Sequence, residues 1–199
     1  MMKRVMLFLC QGLEELEAAA FTDVFGWTTT YGLEPVELVT VGLRPKVRCA
    51  WNFTIEPQSL LDEVDPDSFD ALVIPGGMSR AGFYEDGYDE RLLQLIRRFH
   101  HSDRWVASVC VGALPMARAG VLQGRRATTY QFSEKRRAQL RQMGAQLCDQ
   151  PVVEDRRLIT SQNPATAVPV ALRLAEVLTS RANLERICEG MGFSVPEPL

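Results

Sequence analysis

Short unbroken apolar runs alternate along the chain with longer stretches in which apolar residues recur every third or fourth position. The first kind has the length and continuity of parallel strands buried on both faces, and the second is the stripe of an amphipathic helix. Residues 4–10, 37–41, 69–74 and 105–109 are the strand runs; 14–31, 85–101 and 165–178 are the principal helices. Residues 46–51 and 53–56 alternate around a polar break at Asn52 and read as a small hairpin or bent edge strand. Its Trp51 is expected half-exposed, where an aromatic can sit in a subunit contact. Residues 126–130 form a short extended piece, 133–143 a basic helix with a solvated face, and 152–153 and 158–160 a second hairpin. Asn163-Pro164 supplies an N-cap and a first-turn proline for the helix over 165–178, and a short helix at 184–189 precedes a frayed, proline-containing tail. Strand and helix alternate through most of the length, which specifies an α/β fold: a doubly wound, flavodoxin-like, mainly parallel sheet sandwiched by helices.

The stripe of the first helix is Leu13, Leu16, Ala20, Phe21, Val24 and Phe25. Glu17 follows Leu13 by four positions and precedes Ala20 by three, so it falls inside that stripe, whereas Glu14 and Glu15 are free to face water. A carboxylate on an apolar face is either displaced to the helix edge or held near neutral by burial, and the pattern alone leaves both open.

Composition narrows the classes. At 199 residues and 46% hydrophobic content the chain can bury one substantial core, and it reads as a single domain with its core over about 3–180 and a terminal helix and tail over 181–199. A net charge of -3, from 22 basic and 25 acidic residues, suggests neither nucleic acid nor an anionic membrane as partner. The apolar run after Lys3 and Arg4 is too short for a signal peptide, and no stretch approaches a membrane span. Five scattered cysteines with no Cys-x-x-Cys spacing point to reduced thiols in a cytoplasm rather than disulfides or a zinc cluster, and no cofactor or metal site is expected.

The chemistry gathers at 105–120, where a β-rich run passes through Cys110 and Gly112 into an Ala/Leu/Met helix. This is the layout of a nucleophile elbow with sulfur as the nucleophile, and the amides of the following helix are expected to favour thiolate. An inert, space-filling core cysteine is the alternative. In a doubly wound sheet the loops at the carboxyl ends of the strands share one rim. Glu17 follows the first strand, Gly76 and Gly77 follow 69–74, and Cys110 follows 105–109, so an acid, backbone donors and a thiol converge. The arrangement predicts Cys110 as nucleophile, Glu17 as adjacent carboxyl, and the Gly77 and Val111 amides placed for an oxyanion, with Gly76, Gly112 and Tyr130 lining the pocket. Met78, Tyr84 and the residues between them, together with Trp51, shape it.

Pro75-Gly76-Gly77, Ser108-Val-Cys110-Val-Gly-Ala, Ala127-Thr-Thr-Tyr130 and Thr160-Ser-Gln-Asn-Pro-Ala-Thr166 together resemble the ThiJ/PfpI superfamily, of class I glutamine amidotransferase-like fold. Gly12-Leu-Glu-Glu-Leu-Glu17 resembles its parkinsonism-associated deglycase branch more narrowly. The resemblance implies a flavodoxin-like homodimer in which a reactive Cys110 is hydrogen-bonded to a protonated Glu17, with the hairpin around Cys49 at the dimer contact. It implies activities such as cofactor-free hydration of glyoxals, removal of glyoxal adducts, isonitrile hydration, peptidase action, chaperoning and peroxide sensing, so the partner is a small-molecule substrate or oxidant. Many hydrolytic members carry histidine where this chain has Tyr130, and a phenol is a poor general base at neutral pH. The two histidines, His100 and His101, precede the strand that ends at Cys110 and lie about 16 Å away at its opposite end. Two functions therefore stay open: a glyoxalase or deglycase in which Glu17 relays the proton, and an oxidative-stress thiol sensor or chaperone-like protein whose Cys110 is oxidised to sulfinic acid. Cys10, at the end of the first strand, is either a resolving thiol or core packing.

Overall fold

A computed structural model describes residues 2–197; Met1, Pro198 and Leu199, the last two from the expected tail, lie outside the described residues. From Val5 onward β1 (Lys3–Leu9) is wholly buried, which is why its residues are apolar without alternation. α1 (Glu15–Thr30) crosses over to β2 (Val36–Gly42), which pairs parallel to β1 along its full length from Lys3↔Val36 to Leu9↔Gly42. The predicted hairpin is present as β3 (Val47–Arg48) and β4 (Thr54–Ile55), paired antiparallel, and Trp51 at its tip is half-exposed. The short β5 (Ser59–Leu60) adds to the outer side of β2. The chain then returns to the other side of β1 as β6 (Ala71–Ile74), so strand order reverses between β1 and β6.

The helix expected over 85–101 is two helices, α2 (Phe83–Gly87) and α3 (Glu90–His101). The break falls where the Asp89 carboxylate caps α3 by accepting from the Arg91 amide at 2.9 Å, a local hydrogen bond that competes with continued helix. Next come β7 (Trp105–Ser108), α4 (Ala113–Arg118), β8 (Arg126–Ala127), α5 (Glu134–Gln142), β9 (Gln146–Leu147), β10 (Val152–Asp155), β11 (Leu158–Ser161), α6 (Ala167–Leu178) and α7 (Arg181–Met191). α7 is longer than the short helix expected at 184–189 because Ser180 caps it through Asn183 and Gly192, left-handed, closes it.

The main sheet runs β10-β11-β7-β6-β1-β2-β5, parallel except for β10, the flavodoxin-like doubly wound arrangement that alternation of the runs predicts. α1, α6 and α7 pack as one helical layer, and α3, α4 and α5 as another. The stripe of α1 needs one correction: Leu16 is 59% exposed, while Glu17, Ala18, Ala20, Phe21, Val24, Phe25 and Thr28 form the buried face. Leu16 projects instead into an apolar groove with Phe53 and Ile55 of the hairpin. Among the described residues no helix is long and apolar enough to cross a membrane.

Candidate active site

Parallel pairing sets the carboxyl ends of β1, β6 and β7 side by side, so the three following loops meet at the reversal of strand order. Cys110 stands just past β7 with φ +55°, a left-handed conformation that costs a non-glycine residue about 1–3 kcal/mol. Three contacts hold it there. The Thr129 hydroxyl donates to the Cys110 carbonyl at 3.0 Å, the Gly112 amide closes the turn onto the Val109 carbonyl at 2.8 Å, and Val109 donates to the carbonyl of Ile74 at 3.3 Å. Gly112 has to be glycine, since a Cβ on it would lie 2.3 Å from the Ile74 carbonyl oxygen. The elbow is thus wedged against the end of β6.

Glu17 sits in the first turn of α1 with no exposed surface, which excludes the helix-edge reading. Its Oε2 accepts from the Gly76 amide at 2.6 Å, the Cys110 thiol lies against the carboxyl, and Oε1 is buried without a hydrogen-bond partner. Gly76 makes this approach possible: a Cβ there would be 2.9 Å from Oε2 and 3.0 Å from the Cβ of Cys110. Burial pushes the carboxyl from 4.5 up to about 8, against the pull of the Gly76 amide, so Glu17 holds its proton at neutral pH.

The thiol departs from expectation. Burial, reinforced by the neighbouring Glu17 carboxyl, pushes Cys110 up, and the Val111 amide, which donates to the sulfur, opposes this only in part. The expected dipole is weak because the elbow continues as one 3₁₀ turn and the six-residue α4 rather than a long helix. The resting pair is therefore a thiol beside a protonated carboxyl.

Of the other predicted residues, Gly77 forms a single antiparallel bridge with Leu13, flanked by Glu14 donating to Gly76 and Met78 donating to Gly12. A Cβ on Gly77 would meet the Gly12 carbonyl at 2.3 Å, so this glycine lets the loops after β1 and β6 touch. Tyr130, half-buried, follows Thr129 at the rim and packs edge-on against Phe132, which is 76% exposed. His100 and His101 end α3, at the far end of β7 from Cys110. Cys10 is buried beside Asp86, which pairs with Arg44 and accepts from the Gln11 amide.

Sequence reasoning did not single out Thr129, and it reached Tyr84 only as the end of the segment expected to shape the pocket. Thr129 stands in the Ala127-Thr-Thr-Tyr130 segment, but a threonine facing a carbonyl from another loop leaves no periodic trace. Tyr84, in α2, buries its hydroxyl without a hydrogen-bond partner, lies within electrostatic reach of the Cys110 sulfur, and carries the Arg136 guanidinium 4.7 Å from its ring centroid. At the mouth, Trp51 donates to Glu14 at 3.0 Å and is covered by Arg80. Among the described residues no group of three or more His, Cys, Asp or Glu could hold a metal.

The architecture has counterparts. The chain is 28% identical over 193 residues to protein dj-1beta of Drosophila melanogaster, covering 96% of this chain and 97% of that one. The crystal structure of Drosophila melanogaster DJ-1beta superposes with a TM-score of 0.86 at 28% identity, over 98% of this chain and 100% of that one. The deglycase TK1284 of Thermococcus kodakarensis is 32% identical over 121 residues, 61% of this chain and 69% of the relative. The DJ-1/PfpI family pattern matches residues 3–177, and the chain belongs to the DJ-1/PfpI family.

Proposed function

We propose that the protein is a cysteine-dependent, cofactor-free enzyme acting on small reactive carbonyls, of glyoxalase or deglycase type, with Cys110 as nucleophile. The observation that carries this reading is the Cys110–Glu17 pair: a strained elbow thiol in contact with a buried carboxyl that keeps its proton. With an α-oxo aldehyde the sulfur bonds to the aldehyde carbon, the carbonyl electron pair moves to oxygen, and the thiol proton ends on that oxygen as a hemithioacetal hydroxyl. Glu17 then gives its proton to the ketone oxygen and takes the one on the aldehyde carbon, forming an enediol; it next protonates the second carbon and recovers the proton of the first hydroxyl, and water cleaves the resulting thioester to release a hydroxy acid and restore the thiol. Relatives named deglycase support the same class. Purified protein given methylglyoxal is expected to release lactate, and Cys110→Ser to lose at least 100-fold of that rate, on the order of what a missing catalytic group costs. Equal slow rates in both would end this reading.

A second reading is favoured by the Val111 amide already directed at the sulfur and by the absence of a histidine near it. It is a thiol sensor, in which two equivalents of peroxide convert the thiol to sulfinic acid with release of two waters, and Glu17 and Val111 hold the product. A single Cys110-dependent gain of two oxygens in intact mass, without lactate formation, selects it.

The groove formed by Leu16, Phe53 and Ile55, on the hairpin that also carries Cys49 and Trp51, is the surface we assign to a second copy of the chain. The five cysteines are free, which supports a reducing, cytoplasmic location.

A further inference from the structure

Tyr84 is a proton-bearing group near the sulfur that the Cys110–Glu17 pair does not use. Tyr84 has its hydroxyl buried with no hydrogen-bond partner, an arrangement that leaves a donor unspent. An orphan of this kind inside a site calls for a partner that arrives from outside. Its ring is fixed from three sides. Phe83 packs edge-on at 5.1 Å, Tyr88 lies at 4.8 Å, and the Arg136 guanidinium sits over the face at 4.7 Å. Arg136 is itself anchored, donating to Ser79 at 2.5 Å and to Gln139 at 2.8 Å. Among the described residues it has no carboxylate partner, so its charge acts on the phenol undiminished.

The two amides expected to hold an oxyanion are not equally available, because that of Val111 is engaged with the sulfur. Gly77 alone supplies one donor where such sites employ two or more. Resting on the carbonyl chemistry proposed above, we infer that Tyr84 is a further catalytic residue, its buried hydroxyl donating to the substrate carbonyl oxygen while Arg136 positions the ring. No proton need leave Tyr84. The carbon–sulfur bond forms, the carbonyl π pair moves to oxygen, the thiol proton ends on that oxygen, and the phenol keeps its hydrogen bond to the same oxygen in the hemithioacetal. Burial holds the phenol protonated across the neutral range, as a donor requires.

The test separates carbonyl addition from plain thiol reactivity. Methylglyoxal protects Cys110 from iodoacetamide to the extent that it forms the hemithioacetal. Tyr84→Phe is expected to raise the half-protecting methylglyoxal concentration about 10-fold, while alkylation without methylglyoxal changes less than about 2-fold, since the oxygen of the adduct then lacks its buried hydrogen-bond donor. Arg136→Gln is expected to shift protection in the same direction by less, through loss of ring positioning. Equal protection in wild type and Tyr84→Phe would overturn the inference, and so would a parallel loss of simple alkylation. Lactate release is read in the same samples: protection without lactate in wild type removes the turnover reading and leaves the role of Tyr84 standing.

Discussion

Glu17 and Cys110 illustrate how burial decides the charge state of a residue pair. A carboxyl shifted from 4.5 to about 8 is protonated in the folded protein over a range in which the unfolded chain has already released its proton. The folded state therefore binds more protons than the unfolded state between these limits, and its stability falls as pH rises through them, by up to about 1.4 kcal/mol per pH unit. Urea unfolding at pH 5, 7 and 9 is expected to show this slope in wild type and a markedly flatter one in Glu17→Gln. An unchanged slope in the variant would mean that Glu17 is not the group responsible. The glycines around the pair are legible from sequence as residues that permit close approach, but what they approach is not: Gly76 makes room for Glu17 and Cys110, Gly77 for the carbonyl of Gly12, and Gly112 for that of Ile74.

At the level of elements, the hairpin of β3 and β4 is tied to α1 by acids that the helical pattern assigned to solvent. Glu15 accepts the amides of Trp51, Asn52 and Phe53 at 3.1, 3.1 and 3.3 Å, and Glu14 accepts the Trp51 indole. One carboxylate thus organises the tip of the hairpin that borders the site. Replacing Glu15 by Ala should release those three amides, with hydrogen exchange at 51–53 rising at least 10-fold while exchange in β1 and β6 stays unchanged, a factor of ten being about 1.4 kcal/mol of local opening. Exchange at the tip equal to wild type would assign its order to β-pairing alone. The division of the 85–101 segment into α2 and α3 has the same kind of cause, an Asp89 cap whose local hydrogen bond outcompetes an unbroken apolar period.

On the scale of the whole molecule, the reversal of strand order between β1 and β6 is what turns three separate loops into one site. The same fold leaves Leu16 and Phe53 exposed together on one apolar groove between α1 and the hairpin, unlike scattered surface residues. If this face joins two copies, Leu16→Glu should convert a sedimenting dimer to monomer, because an unpaired charge on each side would be buried at the contact. A wild-type protein that sediments as a monomer would contradict the assignment, as would a dimer indifferent to the substitution.

The order of the principal strands and helices, the mainly parallel sheet, the elbow at Cys110 and the convergence of Glu17, Gly76 and Gly77 on one rim are readable from the chain, because period and run length record which faces are buried, whereas the two-residue strands β5 and β9 are too short to leave a period. Three features follow only from tertiary structure. The protonated state of Glu17 and the raised thiol depend on how completely other elements exclude water; the outward turn of Leu16 depends on where the hairpin lies; and the roles of Thr129 and Tyr84 depend on contacts between loops far apart in sequence. Periodicity encodes the direction in which a side chain leaves its own helix or strand. It holds no record of which neighbour the fold brings to meet it, and in this protein the chemistry resides in those meetings.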